Sequence, residues 1–182
     1  MKQSIRLITT TAMLIALVVI VQLVFALLGQ FVVGPLVNLI LMIAALNLNW
    51  RSGLLIGFIS PFFAFLLNIG TPLFVLVPWI AMGNVLLVAT IIFVHRARWT
   101  VPLPRQLAIV ISLLLGVFIK VAFYWMGIVG FLLPTLDIPI NVRDTLSYSF
   151  SWMQLFTGLI AVGLLLPVQM LLQPTLRRFH HD

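Results

Sequence analysis

The segment from Ile109 to Leu133 reads IVISLLLGVFIKVAFYWMGIVGFLL, about 25 residues of nearly continuous apolar side chain. At ~1.5 Å rise per residue, such a helix crosses a hydrocarbon layer of ~30 Å with room for tilt. No water-soluble fold has a use for several runs of this kind, and this chain carries several. Near the middle of this run stands Lys120. An ammonium near the bilayer centre costs roughly 2.5–3.5 kcal/mol on insertion scales, so it is tolerated when it faces a bundle interior, a wet cavity or a counter-charge. The chain has only three acids, Asp137, Asp144 and Asp182, and all three lie outside the apolar runs. Lys120 is therefore expected to face a polar cavity and to meet an anionic or acceptor-rich ligand there.

Composition agrees with a membrane setting. The 182 residues are 63% hydrophobic and 7% charged, against about 45–50% and about 25% in a soluble domain. The formal charge of +7 does not point to nucleic acid, because the basic residues sit in short loops between apolar spans. With no cysteine, disulfides and thiolate metal sites are excluded. The N-terminal run from Leu7 to Leu28 is long for a signal-peptide core and no A-x-A site follows it, so it reads as an uncleaved first span.

The punctuation predicts one all-α domain, residues 1–182, a single bundle of six transmembrane helices. Span one is Leu7–Leu28, broken by Gly29, Gln30, Gly34 and Pro35. Span two runs from about Leu36, at the earliest Phe31, to Leu48. Span three is Gly53–Leu67, interrupted by Pro61, and span four is Leu73–Val94. A basic loop from His95 to Arg105 leads to span five, the opening stretch. Pro134 to Asp144 forms the longest polar connection before span six, Leu146–Leu172. Lys2, Arg6, Arg51, Arg96, Arg98, Arg105, Arg177 and Arg178 then share one side. Arg143 alone lies on the other, with Asp137 and Asp144 nearby. The positive-inside rule sets both termini in the cytoplasm and the protein in the plasma membrane.

Polar and aromatic residues gather in the outer halves of spans four to six. Span four carries Trp79 and Asn84; span five carries Lys120, Tyr124 and Trp125; span six and its approach carry Tyr148, Ser151, Trp152 and Gln154. Gly116, Lys120, Tyr124 and Gly127 recur at helical spacing and share a face, as do Ser147, Ser151, Gln154 and Gly158. Together they predict an outward-facing pocket with aromatic walls, suited to a small polar or partly aromatic solute. Each has a plainer reading. Trp79, Trp125, Tyr148 and Trp152 equally suit an interfacial aromatic belt. Asn84 and Gln154 equally suit bonds between helices. Asn38 and Asn68 sit near turns, where Asn serves the backbone. Two small-residue steps, A-x-x-x-A at Ala12 and Ala16 and G-x-x-x-G at Gly53 and Gly57, let another helix approach closely, inside the bundle or from a partner.

No P-loop and no H-E-x-x-H is present, and no span contains a carboxylate, so neither ATP binding through a P-loop nor metal hydrolysis is expected. His95, His180 and His181 fall in basic loops. No catalytic residue and no metal site is expected, and no cofactor bound by this chain. The buried acids and histidines that serve proton-coupled transport are missing too. Uphill movement of a solute would need energy from another subunit.

In size, topology, the Ala12/Ala16 step and the stretch Pro78-Trp79-Ile80-Ala81-Met82-Gly83-Asn84, the chain resembles the substrate-binding S components of energy-coupling factor (ECF) transporters. The resemblance covers essentially the whole chain. It implies that Ala12 and Ala16 dock a membrane-embedded T component. It implies a water-soluble vitamin or related micronutrient bound near the outer surface, against spans four to six. Two cytoplasmic ATPases would use ATP to drive a cycle in which the S component topples in the bilayer. Lys120 favours an anionic cargo such as pantothenate over a cationic one such as thiamine; hydroxymethylpyrimidine, pyridoxine, folate, riboflavin and cobalamin stay open. The competing reading is a stand-alone facilitator or channel without ATPase partners. The scarcity of polar residues in the inner halves of the spans weighs against it.

Overall fold

The structure, a computed structural model, describes residues 2–97 and 104–178. Among these it contains helices and connections and no strand. The basic residue Arg98 and the terminal His180, His181 and Asp182 lie outside the described residues. Helix α1 spans Lys2–Phe25, α2 Gln30–Asn47, α3 Trp50–Leu66, α4 Val77–Ala97 and α5 Arg105–Tyr124. Beyond Tyr124 the α5 rod continues as a π-helical stretch, Trp125–Leu132, and one closing turn, α6, Leu133–Thr135. A short connection leads to α7, Ile140–Phe150, and then to α8, Trp152–Arg178. Five segments are long and apolar enough to cross a membrane, and α3 is a shorter apolar helix of 17 residues.

Local chemistry sets the breaks. Gly29 takes φ 72°, a value that side chains disfavour, and it separates α1 from α2. Asn49 caps α3 by accepting from the Arg51 N–H at 3.1 Å. Asn68, at φ 56°, serves the turn after α3.

Three boundaries differ from those read in the sequence. Helix α2 begins at Gln30, so Gly34 and Pro35 lie inside it; one proline removes one intrahelical bond, which a membrane bundle can absorb. Pro61 does not interrupt α3. The Gly57 carbonyl that loses its usual donor there accepts instead from the Ser60 hydroxyl at 3.3 Å. The long connection from Pro134 to Asp144 is partly helical, because α7 starts at Ile140, and the last span bends at Ser151 (φ −109°, ψ −94°) between α7 and α8.

Helix α4 is the central strut, packed on α3, α5 and α2, while α2 also packs along α8. Leu41, Met42, Ile56, Leu87, Ile91 and Leu113 are fully buried and form the main apolar core. A smaller cluster at the other end gathers Leu76, Tyr124, Ile128, Leu133 and Phe150. Among the described residues helix α1 packs chiefly on α2 and α3. Ala12 and Ala16 lie on its open side, flanked by the exposed Met13 and Leu17. The glycine step behaves differently. Gly53 faces Val88 and the Ala44 carbonyl, and Gly57 faces the Asn84 backbone, so this strip is spent inside the bundle.

Candidate functional site

One end of the bundle encloses a cavity of about 430 Å³, within the ~300–1,000 Å³ range of small-molecule sites. Its wall takes Gln22 from the end of α1, Asn38 from α2, Ser60 and Pro61 from α3, Asn84 from α4, Lys120 and Tyr124 from α5, and Gln154 from α8. Gly29, Gly70 and Thr71 of the connecting loops line it as well.

Lys120 is the deepest charged group. It is only 6% exposed, and its Nζ donates to Asn38 Oδ1 and Asn84 Oδ1, both at 2.8 Å. An ammonium has three N–H donors, so these bonds leave one for a ligand in the cavity that Lys120 lines. The Tyr124 ring lies 5.5 Å from Nζ, at cation–π distance. Both described acids, Asp137 and Asp144, are exposed. Among the described residues the ammonium is therefore held by neutral oxygens and a ring face, and its charge is left for something else to balance.

The cradle is itself held in place. Asn84 presents its oxygen to Lys120 and donates from Nδ2 to Ser60 Oγ at 3.3 Å. The Ser60 hydroxyl in turn donates to the Gly57 carbonyl freed by Pro61. A proline in α3 thus creates the acceptor that anchors a relay running through Ser60 and Asn84 to Lys120. Such a satisfied chain of donors and acceptors fixes the amide orientation and holds the ammonium in one place.

Tyr124 closes the apolar side. Fully buried, it donates to the Ile80 carbonyl at 2.9 Å and meets Phe150 edge-on at 5.6 Å between ring centroids. Its ring packs against Gly83, where a Cβ would collide with the ring carbons and hydroxyl. Gly83→Ala should therefore push the ring off Ile80 and cost about 1–3 kcal/mol, as overpacking does, read as a fall in thermal midpoint of the cargo-free protein. An unchanged midpoint would mean that the ring moves aside freely.

Of the residues proposed from sequence, Lys120, Asn84, Tyr124 and Gln154 line the cavity together. Trp79, Trp125, Tyr148, Ser151 and Trp152 do not belong to its lining. Trp79 stacks on Phe123 with centroids 5.7 Å apart and covers Gly127. Trp125 and Trp152 are each 60% exposed, and Tyr148 also faces outward. Ser151 bonds back to the Ser147 carbonyl at the α7–α8 bend. The aromatic part of the wall comes from Tyr124, Phe65 and Phe150 rather than from the tryptophans, and amides, hydroxyls and small apolar groups from α1, α2 and α3 complete it. Asn38, read from sequence as near a turn at the start of span two, lies well inside α2 and is 3% exposed, because α2 starts earlier than its glycine and proline suggest. Gln22 and Ser60 are further cavity residues outside the sequence-based set.

The described residues form an all-helical bundle, with five segments apolar enough to cross a membrane and a buried lysine lining its cavity, which is the build of a polytopic membrane protein. The family model described as "ECF transporter, substrate-specific component" matches residues 6–173. The chain belongs to that family, which supplies the substrate-binding part of a transporter and is not a family of enzymes. Searches of curated proteins and of solved structures returned no match.

Proposed function

We propose that this chain is a six-span S component, with both termini cytoplasmic, that captures an anionic water-soluble vitamin from outside the cell, pantothenate being the lead candidate. A T component and two ATPases would complete the importer, and this chain would bind no cofactor of its own. The observation that carries the reading is the Lys120 ammonium. It is buried within the bundle, held by two neutral amide oxygens at 2.8 Å and lines a cavity of about 430 Å³. A carboxylate would take its remaining N–H and balance its charge in one bond. A cavity of about 430 Å³ also suits a solute of pantothenate's size.

The opposite end supports a binder over a channel. One and two turns from Lys120 along α5 stand Val117 and Leu113; beyond Asn84 on α4 come Leu87 and Val88; beyond Asn38 on α2 come Leu41 and Met42. All six are buried, and none carries a side-chain group that hydrates a moving solute.

Titration of the purified protein with pantothenate and with pantothenol, its uncharged alcohol analogue, tests the cargo. Pantothenate should bind, and pantothenol should bind about thirtyfold more weakly, for loss of a charge-assisted bond. Equal binding of the two would defeat the anionic reading. Liposomes containing this chain alone should show no pantothenate flux, and flux without ATPases would make it a facilitator.

A further inference from the structure

Gln22 stands apart from the Lys120 relay. It lines the same cavity from α1, is only 5% exposed, and its Oε1 is buried with no hydrogen-bond partner. Other polar side chains of α1 bond to their own helix: Thr9 donates to the Ile5 carbonyl and Thr11 to the Leu7 carbonyl. A buried acceptor without a donor destabilises the protein that contains it, and a Leu or Met of similar size would not. The terminal amide turns easily about its last side-chain bond, since such torsions are broad, so either edge can be offered to the cavity.

We propose that Gln22 is a specificity-determining cargo contact that accepts a hydrogen bond from an N–H or O–H of the bound solute. This rests on the reading of the cavity as the cargo site and narrows the cargo class. Lys120 has a donor to spare and Gln22 an acceptor to spare, and the two demands are opposite in kind. One solute meets both if it joins a carboxylate to amide or hydroxyl groups on its body. A bare carboxylate meets only the first. Gln154, 9% exposed and lining the cavity from α8, adds a second amide to the same wall.

The test uses Gln22→Met in the full chain, with pantothenate as the probe and hexanoate as a carboxylate lacking other polar groups. The variant should bind pantothenate about tenfold more weakly. The empty variant should also melt about 2 °C or more above the wild type, because the orphan oxygen is gone. Unchanged pantothenate affinity would overturn the assignment. So would a lower melting point of the empty variant, since Gln22 would then be a packing residue. Should Gln22→Met fail to fold, the wild type decides: hexanoate should bind at least about tenfold more weakly than pantothenate, and equal binding would refute a donor-requiring site. If the wild type ignores pantothenate, the pantothenate reading fails by itself. The melting points then decide for Gln22, a rise upholding its unmet acceptor and no rise removing it.

Discussion

Lys120→Met should weaken pantothenate binding by about thirtyfold or more, ~2 kcal/mol. The substitution keeps the length of the side chain and removes its charge and its donors. Two losses then combine. The cargo carboxylate loses a charge-assisted bond, and Asn38 Oδ1 and Asn84 Oδ1 lose the donor they now share at 2.8 Å. Pantothenol separates these effects. If Lys120 holds the carboxylate, the variant binds pantothenate and pantothenol about equally, and its affinity for pantothenol stays close to that of the wild type. If Lys120 only keeps the two asparagines in place, both analogues weaken together and the preference between them survives. The second result would take Lys120 out of the cargo site while leaving it in the fold.

Ala12→Trp and Ala16→Trp should each abolish ATP-driven uptake and leave pantothenate affinity within about twofold of wild type. Both positions are exposed on α1, a helix that packs chiefly on α2 and α3, so an indole there is expected to project away from the bundle. A strip of small side chains permits close approach of a partner helix, and a large side chain prevents it. Uptake in membranes that hold the whole importer and titration of the purified variant read the two properties separately. Lost binding would mean that the strip packs against this chain itself. Retained uptake would mean that the partner docks on another face.

Long apolar runs ended by Gly, Pro and Asn are legible without coordinates, because hydrocarbon demands length and internally bonded backbone. Lys120 is legible for a similar reason: a mid-membrane charge is costly unless polar groups meet it, so it marks a polar interior from one residue. What surrounds it is less legible. Gly34 and Pro35 have the look of a loop, yet α2 runs through them, which carries Asn38 from a turn to the foot of the cavity. Ser60 is hidden because a serine in a helix usually bonds its own backbone, as it does here, and its second bond to Asn84 depends on how α3 meets α4. The aromatics mislead in the other direction. An indole suits a headgroup layer as well as it suits a ligand, and only packing separates Trp79, stacked on Phe123, from Trp125 and Trp152, which face outward.

The six apolar side chains beneath Lys120 have one more consequence. They make the hollow a cup with a solid base. If the cavity is the cargo site, as proposed, a solute seated on the ammonium has no drain through that base and departs over the rim by which it arrived. Delivery across the membrane would then require the rim itself to change sides, or the base to be pulled apart by force from outside this chain.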